Sequence, residues 1–579
     1  MLSALLLNFI LVLLLPIRLL RRAFAAPRGA YVLLSIDGRV VDHVSPKRTR
    51  LSSFLSRRAP PPLSVVRVRE LCALLAKDTR IAGLVVRIQS LSAGPSVLAS
   101  LRKELLALRT HNKDLVFDLP MGADNDLMYL ASAGKRIVVG PETSVAPIGY
   151  AAEARYVRRA LQKLGITAEV FAKGTYKSAA EPLVLDAMSD AQREQLGELL
   201  KARHDALVEA LAARTGGDKQ KAASWIDEAP HRAVDALRLG LVDAVVYEDG
   251  LDGVLGAAPG ESVPLVDADD YLGRRRPTRF RPFLPRPVVG LVEVHGPIVS
   301  TARFAMGPMA IEEEIVSALR LARANKRLAA VVLHIDSPGG SALASDRIHH
   351  EVERLAEVKP IVAYLSNVAA SGGYYVAAGA RLIVAEPETV TGSIGVVSAH
   401  FVLRGLFDKL GVTTEVVKAG ARADLLSPTR PVEEDERRIV EAEIDGFYRT
   451  FLNVVARGRK RPVHEIEKLA EGRVYSGRRA QELGLVDELG SCADAVRRAS
   501  EFAGVALREP VLVRPPHEPM PPAPMMSAAK AVLGVLGCGA LLSRVVLGVN
   551  LHARERVLVY APLPLVESGS DGRTGVDSP

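Results

Sequence analysis

Cysteine is scarce in this chain. Its 579 residues include three, Cys72, Cys492 and Cys538, an odd number set far apart. They form no CxxC pair and no disulfide framework. Aromatic residues make up only 5%, too few to interleave with basic residues as a stacking surface for nucleic acid. HExxH, clustered His/Cys spacings, a P-loop and a strand-borne GxGxxG are all missing, so the sequence offers no metal site and no nucleotide or other cofactor. Net charge is a modest +9, with Lys and Arg dispersed among Asp and Glu. The local run RRRPTRFR at 274–281 reads as a solvated linker.

Long hydrophobic runs are also few. Leu2 to Leu15 are apolar apart from Ser3 and Asn8, and Pro16, Arg18, Arg21 and Arg22 follow. This run falls short of the ~20 residues a spanning helix needs, and it extends to Leu20 only if Arg18 snorkels. A signal peptide carries its charge ahead of the apolar run, not behind it. The expectation for 1–26 is a retained membrane anchor or monotopic helix, with the trailing arginines favouring a cytoplasmic body by the positive-inside rule. A second run, AVLGVLGCGALL at 531–542, is either a membrane contact or a packed helix. The last residues, ESGSDGRTGVDSP, read as a disordered tail.

What the chain does have is a repeat. YLASAGKRIVVGPETSVAPIG (129–149) and YVAAGARLIVAEPETVTGSIG (375–395) are identical at nine of 21 positions without a gap. The offset is 375 − 129 = 246. The same offset brings KLGITAEV (163–170) onto KLGVTTEV (409–416), and one residue of slip brings IAGLVVRIQS (81–90) onto LAAVVLHIDS (328–337). The length suits two or more domains, and the repeat makes them two copies of one. The expected boundaries are 27–267 and 288–510, a charged, proline-containing linker at 268–287, and an extension at 511–579.

Within each copy, Val/Ile/Leu runs of strand length alternate with helical patterns. YVLLSIDG, LVVRI, LVFDL and RIVVG in the first copy answer VVGLVEVHG, VVLHI, IVAYL and LIVAE in the second. Continuous apolar runs between helices predict buried, mostly parallel strands and an α/β fold with right-handed crossovers. A polyproline turn, RRAPPPLS at 57–64, precedes a helix capped by Ser64. Ser189 and Gln192 predict a capping box at the start of a long helix.

In open α/β sheets, sites lie at the carboxyl ends of strands. Two segments of the second copy fall there: HIDSPGGSA (334–342) and AYLSNVAASGGYY (363–375). Each alone reads as a glycine turn. Together, Gly339 and Gly340 with the Gly372 N–H describe an oxyanion hole facing Ser371. In the first copy the counterpart of Ser371 is Asn125, and the glycine pair becomes Ser92 and Ala93. Conversely, Lys177 of AKGTYKSAAEP (172–182) has Ala423 as its counterpart. Serine in one copy and lysine in the other is the pattern of a site shared between them. A buried, neutral Lys177 is then the candidate base for Ser371. Ser393, whose counterpart is Pro147, is the candidate group that holds the amine. The bland reading of Lys177 is a surface lysine. The rival chemistry is a Ser-His-Asp triad using His334, His349, His350 or His400, with Asp336 as the acid.

SPGGS, AASGGYY, TGSIG and GTYKSAAEP in a tandem α/β repeat resemble peptidase family S49 in its long protease IV form, over roughly residues 30–500. The resemblance implies two ClpP/crotonase-like domains and a Ser–Lys endopeptidase, with Ser371 as nucleophile, Lys177 as general base and Ser393 as the lysine-orienting hydroxyl. Gly372, Gly339 and Gly340 match the oxyanion region. It also implies peptide substrates left over from signal-peptide cleavage and a membrane-bound homo-oligomer, a tetramer, in the bacterial inner membrane with its body on the periplasmic side. No nucleic acid is implied. Acyl-CoA chemistry on the same fold and a catalytically dead membrane scaffold stand as alternatives.

Overall fold

A computed structural model describes residues 2–16, 26–43, 62–276, 286–301, 308–514 and 558–560. The chain divides into two compact units. Of the described residues, one holds those up to Ala151 together with Leu200–Arg286, and the other holds Ala152–Leu199 together with those from Pro287 to Tyr560.

The first unit is built on a parallel sheet. Its strands run in the order Leu265–Asp267, Ala30–Val41, Ile81–Ser92, Asp114–Leu119, Arg136–Val139 and Ala244–Val245. The second unit repeats that order with Val511–Leu512, Val288–His295, Leu328–Ser337, Ile361–Ala370, Leu382–Ala385 and Glu488–Leu489. All these pairings are parallel. The tandem α/β arrangement expected from the apolar runs is therefore the one found, and the physical reason is burial on both faces. Leu84, Val85, Val86, Leu115, Val116 and Phe117 are all fully buried, as strands flanked by crossover helices must be.

Beyond the shared part, the second unit extends its sheet through Val390–Gly392, which pairs in parallel with Ile361–Ala370, to the antiparallel strand Val474–Ser476. It also carries a second sheet. There the order is Ala310–Ile311, Ile298–Val299, Gly339–Ser341, Leu558–Tyr560, Val396–Val402 and Thr167–Lys173.

Local expectations fare unevenly. Ser64 caps the helix Val65–Leu75, its hydroxyl accepting from the Arg67 N–H. At the long helix Asp190–Ala212, Ser189 Oγ accepts from Gln192 N at 3.1 Å, but the reciprocal half of the capping box is absent. The Gln192 amide oxygen accepts instead from Tyr156 Oη at 2.6 Å, and Ser189 Oγ donates to Glu181 at 2.7 Å. Of the basic run 274–281, residues 274–276 end a helix, and 277–281 lie outside the described residues. Ala268–Arg275 is a helix capped by Asp267 that buries Tyr271 and Leu272, Arg275 pairs with Asp78, and Arg276 pairs with Glu70 at 2.6 Å. Leu2–Leu13 is a helix of 12 residues with Leu5, Phe9, Ile10, Val12 and Leu13 exposed. Among the described residues, no helix is long and apolar enough to cross a membrane. The run 531–542 and the last residues lie outside the described residues.

Candidate active site

Three neighbouring parallel strands of the second unit end at one place. Leu328–Ser337 leads into Gly339, Ile361–Ala370 into Ser371, and Val390–Gly392 into Ser393. Ser371 then precedes the short helix Gly372–Ala377 with φ 56° and ψ −117°. Ser393 has φ 53°. Two non-glycine residues in sparsely populated backbone regions cost of order 1–3 kcal/mol each, so the surrounding structure must enforce them. It does so through main-chain hydrogen bonds, from Ser371 N to Gly392 O at 2.8 Å and from Ser393 N to Arg473 O at 2.7 Å.

Lys177 enters this site from the segment 152–199, which packs in the same unit. The strand Thr167–Lys173 pairs antiparallel with Val396–Val402 in a seven-residue register. The following turn is held by backbone contact. Gly472, at φ 76°, has no room for a side chain, since a Cβ there would stand 2.6 Å from Lys177 N. Glu471 adds its carbonyl, which accepts from Tyr176 N at 2.7 Å, and its carboxylate, which accepts from Thr175 N at 3.0 Å. Gln195 binds the Tyr176 carbonyl and Ser178 Oγ and accepts from Val474 N. None of these clamps was visible in the sequence, where Glu471 and Gly472 form an unremarked loop dipeptide.

The result is a buried contact. Lys177 Nζ donates to Ser371 Oγ at 2.8 Å and to Ser393 O and Oγ at 3.0 Å each. Ser371 has no exposed surface, Ser393 is 2% exposed and Lys177 is 5% exposed. Burial pushes the lysine amine from its ordinary 10.5 down to about 7, because desolvation disfavours its charged form. The bland reading of a surface lysine fails. A neutral amine has one lone pair, and reversing the bond to Ser371 makes that lone pair the acceptor of the hydroxyl proton.

The glycines are placed less simply. The Gly339 N–H donates to Ser337 Oγ at 3.2 Å. A Cβ on Gly340 would stand 2.0 Å from Ile298 O, so this glycine serves a close backbone approach as well as a bare edge. Gly372 lies at the first turn of its helix beside Ser371, where N–H groups have no intrahelical acceptor.

Three of the four candidate histidines face other groups, and the fourth, His350, is exposed on the helix Ala342–Ala356. His334 Nδ1 lies 2.7 Å from His295 Nε2, His400 faces the Arg430 carbonyl at 3.3 Å, and His349 pairs with Glu353 at 3.3 Å. Asp336 accepts from Asn367 and from Val368 N, a loop-holding role. In the first unit, Asn125 at the place of Ser371 exchanges two hydrogen bonds with the Gly149 backbone, at 2.6 and 3.0 Å. There the corresponding position is a structural clamp.

The sequence model described as "Peptidase family S49" matches residues 125–255 and 353–506. The chain is 31% identical to "Serine protease SPPA, chloroplastic" of Arabidopsis thaliana over 85% of this chain and 72% of that protein. It is 29% identical to "Protease 4" of Haemophilus influenzae, over 83% and 80% respectively. To "Protease 4" of Salmonella typhi it is 31% identical, over 74% and 70%.

Proposed function

Because the chain belongs to peptidase family S49 and is a serine protease, we propose that it hydrolyses peptides with a Ser371–Lys177 dyad. In this reading Lys177 takes the Ser371 proton, and Oγ attacks the peptide carbonyl. The Gly372 N–H and the Gly339–Gly340 loop stabilise the oxyanion. The lysine ammonium returns its proton to the leaving amine, and water activated by the neutral amine then hydrolyses the acyl-enzyme. Ser393 orients Nζ throughout.

The observation that carries this is the 2.8 Å contact between Nζ and Oγ in a site where, among the described residues, burial alone shifts the lysine and no carboxylate offsets it. Its test is peptide hydrolysis by the wild type, Ser371→Ala and Lys177→Ala. Both variants are expected to lose activity by 10³-fold or more, a scale seen when members of such units are removed. Full activity of Lys177→Ala would overturn the dyad.

Apolar peptides, including remnants of signal peptides, are the substrates we assign. Partly buried Val170, Leu183 and Met309 pack against buried Ala180, Val299 and Val397 at the second sheet, and the apolar surface they leave accessible suits apolar side chains. Membrane association follows from the exposed apolar helix Leu2–Leu13. At about 1.5 Å per residue it is too short to span ~30 Å of hydrocarbon, and by the family resemblance we place the chain at the bacterial inner membrane with the catalytic body on the periplasmic side, although the arginines that follow the helix taken alone favour a cytoplasmic body.

Self-assembly has its own support. In the first repeat, residues 167–173 pair with 396–402. Their second-repeat counterparts, 413–419, form no strand and are exposed, Val416 at 54% and Val417 completely. That leaves an apolar segment for a second copy of the chain, and light scattering of the full chain is expected to report a homo-oligomer. A monomer at micromolar concentration would contradict this.

A further inference from the structure

Arg473 touches the lysine's surroundings on two sides. Its carbonyl accepts from Ser393 N at 2.7 Å, which holds the residue that carries Nζ. Its guanidinium lies over the ring of Tyr176, the residue before Lys177, with Cζ 4.6 Å from the ring centre, and 6.0 Å from that of Tyr475. Nη2 donates to Glu194 at 2.8 Å and to Glu198 at 2.7 Å, both on the helix Asp190–Ala212. Tyr176 Oη closes the circuit by donating to Glu194 at 3.0 Å. Tyr176 is thus held on its face by a cation and at its hydroxyl by a carboxylate. One residue therefore sets the separation between Tyr176 and Ser393, and Lys177 bridges the two.

The repeat shows that the strand pair itself does not need this arginine. In the second unit Val390 stands opposite Ser476 and Thr391 opposite Tyr475. In the first, Ser144 stands opposite Arg232 and Val145 opposite His231. Since 390 − 144 = 246, Ser144 is the counterpart of Val390, and Arg232 then answers Ser476 at an offset of 476 − 232 = 244. GLVD at 240–243 and at 484–487 has the same offset. Arg473 therefore answers residue 473 − 244 = 229, which is Ala229. The first unit builds the equivalent antiparallel pair with an alanine there, and it has Asn125 in place of the nucleophile. The arginine is present only in the copy that holds a lysine against a serine.

Resting on the dyad reading, we propose that Arg473 is a positioning residue for the general base, fixing Tyr176 against Ser393 so that Nζ stays dry and within reach of Ser371 Oγ. Glu194 and Glu198 are half-exposed, and ion pairs with such groups are weak taken singly. Only arginine offers both a flat face for a ring and forked N–H groups for two carboxylates. Loss of that face frees Tyr176, and the lysine turn loosens with it. Water then reaches Nζ, and the amine returns from about 7 toward its ordinary 10.5, since desolvation is what depresses it.

The test measures peptide hydrolysis and fluorophosphonate labelling of Ser371 against pH, on the full chain. Arg473→Gln is expected to lower kcat at pH 7 about 30-fold with KM within about twofold of wild type, as a misplaced catalytic group would. The labelling midpoint should rise by about one pH unit, so part of the loss is regained at pH 9. Arg473→Lys keeps the charge without the plane and should fall between the two. The double variant Glu194→Gln, Glu198→Gln leaves the Ser393 contact intact and should move the midpoint the same way by less. It carries the test if Arg473→Gln does not fold. A lower melting temperature with an unmoved midpoint, or a change confined to KM, overturns the proposal. Lys177→Met, run alongside, separates the two readings. If it labels as fast as wild type, the dyad itself fails. If it does not, and Arg473→Gln keeps the wild-type midpoint, only the positioning role is rejected.

Discussion

Lys177 and Ser371 stand 194 residues apart in sequence and 2.8 Å apart in space, and both are buried. The lysine comes from the first repeat and the serine from the second, yet both lie in the same compact unit. Burial supplies the lysine's low pKa, and the backbone supplies the geometry. The two causes can be tested separately.

Burying an amine costs stability, and the cost depends on pH in a direction that can be worked out. The folded value is about 7 and the ordinary one 10.5, so between them the unfolded chain binds more protons than the folded one. Stability then rises with pH across that window, and below about 7 the full penalty remains. Lys177→Met removes it. Calorimetry should show the variant stabilised relative to wild type by roughly 2–3 kcal/mol more at pH 6 than at pH 9. A pH-independent difference would mean that the amine is not desolvated.

Ser393 touches only Nζ among the groups of the dyad, through both its carbonyl and its hydroxyl. Ser393→Ala keeps the carbonyl and loses the hydroxyl. We expect kcat to fall about 10- to 100-fold with KM nearly unchanged, and the pH midpoint of kcat to move. Ser393→Thr should recover part of the loss. A change confined to KM would make Ser393 a substrate contact instead.

Gly472 sets the lysine turn against the second repeat at φ 76°. Gly472→Ala combines a backbone clash with an unfavourable φ, and of order 1–3 kcal/mol of local destabilisation follows. Peptidase activity is expected to fall at least tenfold while secondary structure by circular dichroism is retained. Wild-type kcat/KM would show that the turn can relax without moving Nζ.

The two units should respond independently. Asn125→Ala leaves two buried Gly149 backbone groups unpaired, at a cost of about 1–3 kcal/mol each. The first unfolding transition should move down while kcat of the folded protein stays within twofold. A large loss of kcat would assign the first unit a part in the chemistry.

Much of this was legible in the residues. The repeat located equivalent strand ends, and the contrast of Ser371 with Asn125 and of Lys177 with Ala423 singled out the two residues that meet in the buried contact. Other features left no such trace. That residues 152–199 pack with the second unit depends on a strand pairing, Thr167–Lys173 against Val396–Val402, between segments more than 220 residues apart, and alternation within either segment does not name its partner. Gly472 matters for what its missing Cβ would strike, which only the fold reveals. Gln192 met the pattern of a capping box, but Tyr156 Oη outcompeted the cap for its amide oxygen. The same applies to Leu558–Tyr560, whose neighbours are set by two strand edges rather than by its own sequence.

The most direct test of the central claim is the rate of Ser371 modification by a fluorophosphonate as a function of pH, in wild type and in Lys177→Met. With Lys177 as the base, the wild-type rate rises with pH through a midpoint near 7, where the amine becomes neutral, and the variant reacts at least 10²-fold more slowly with that midpoint gone. A variant that labels as fast as wild type, with the same midpoint, would place the base elsewhere and contradict the account.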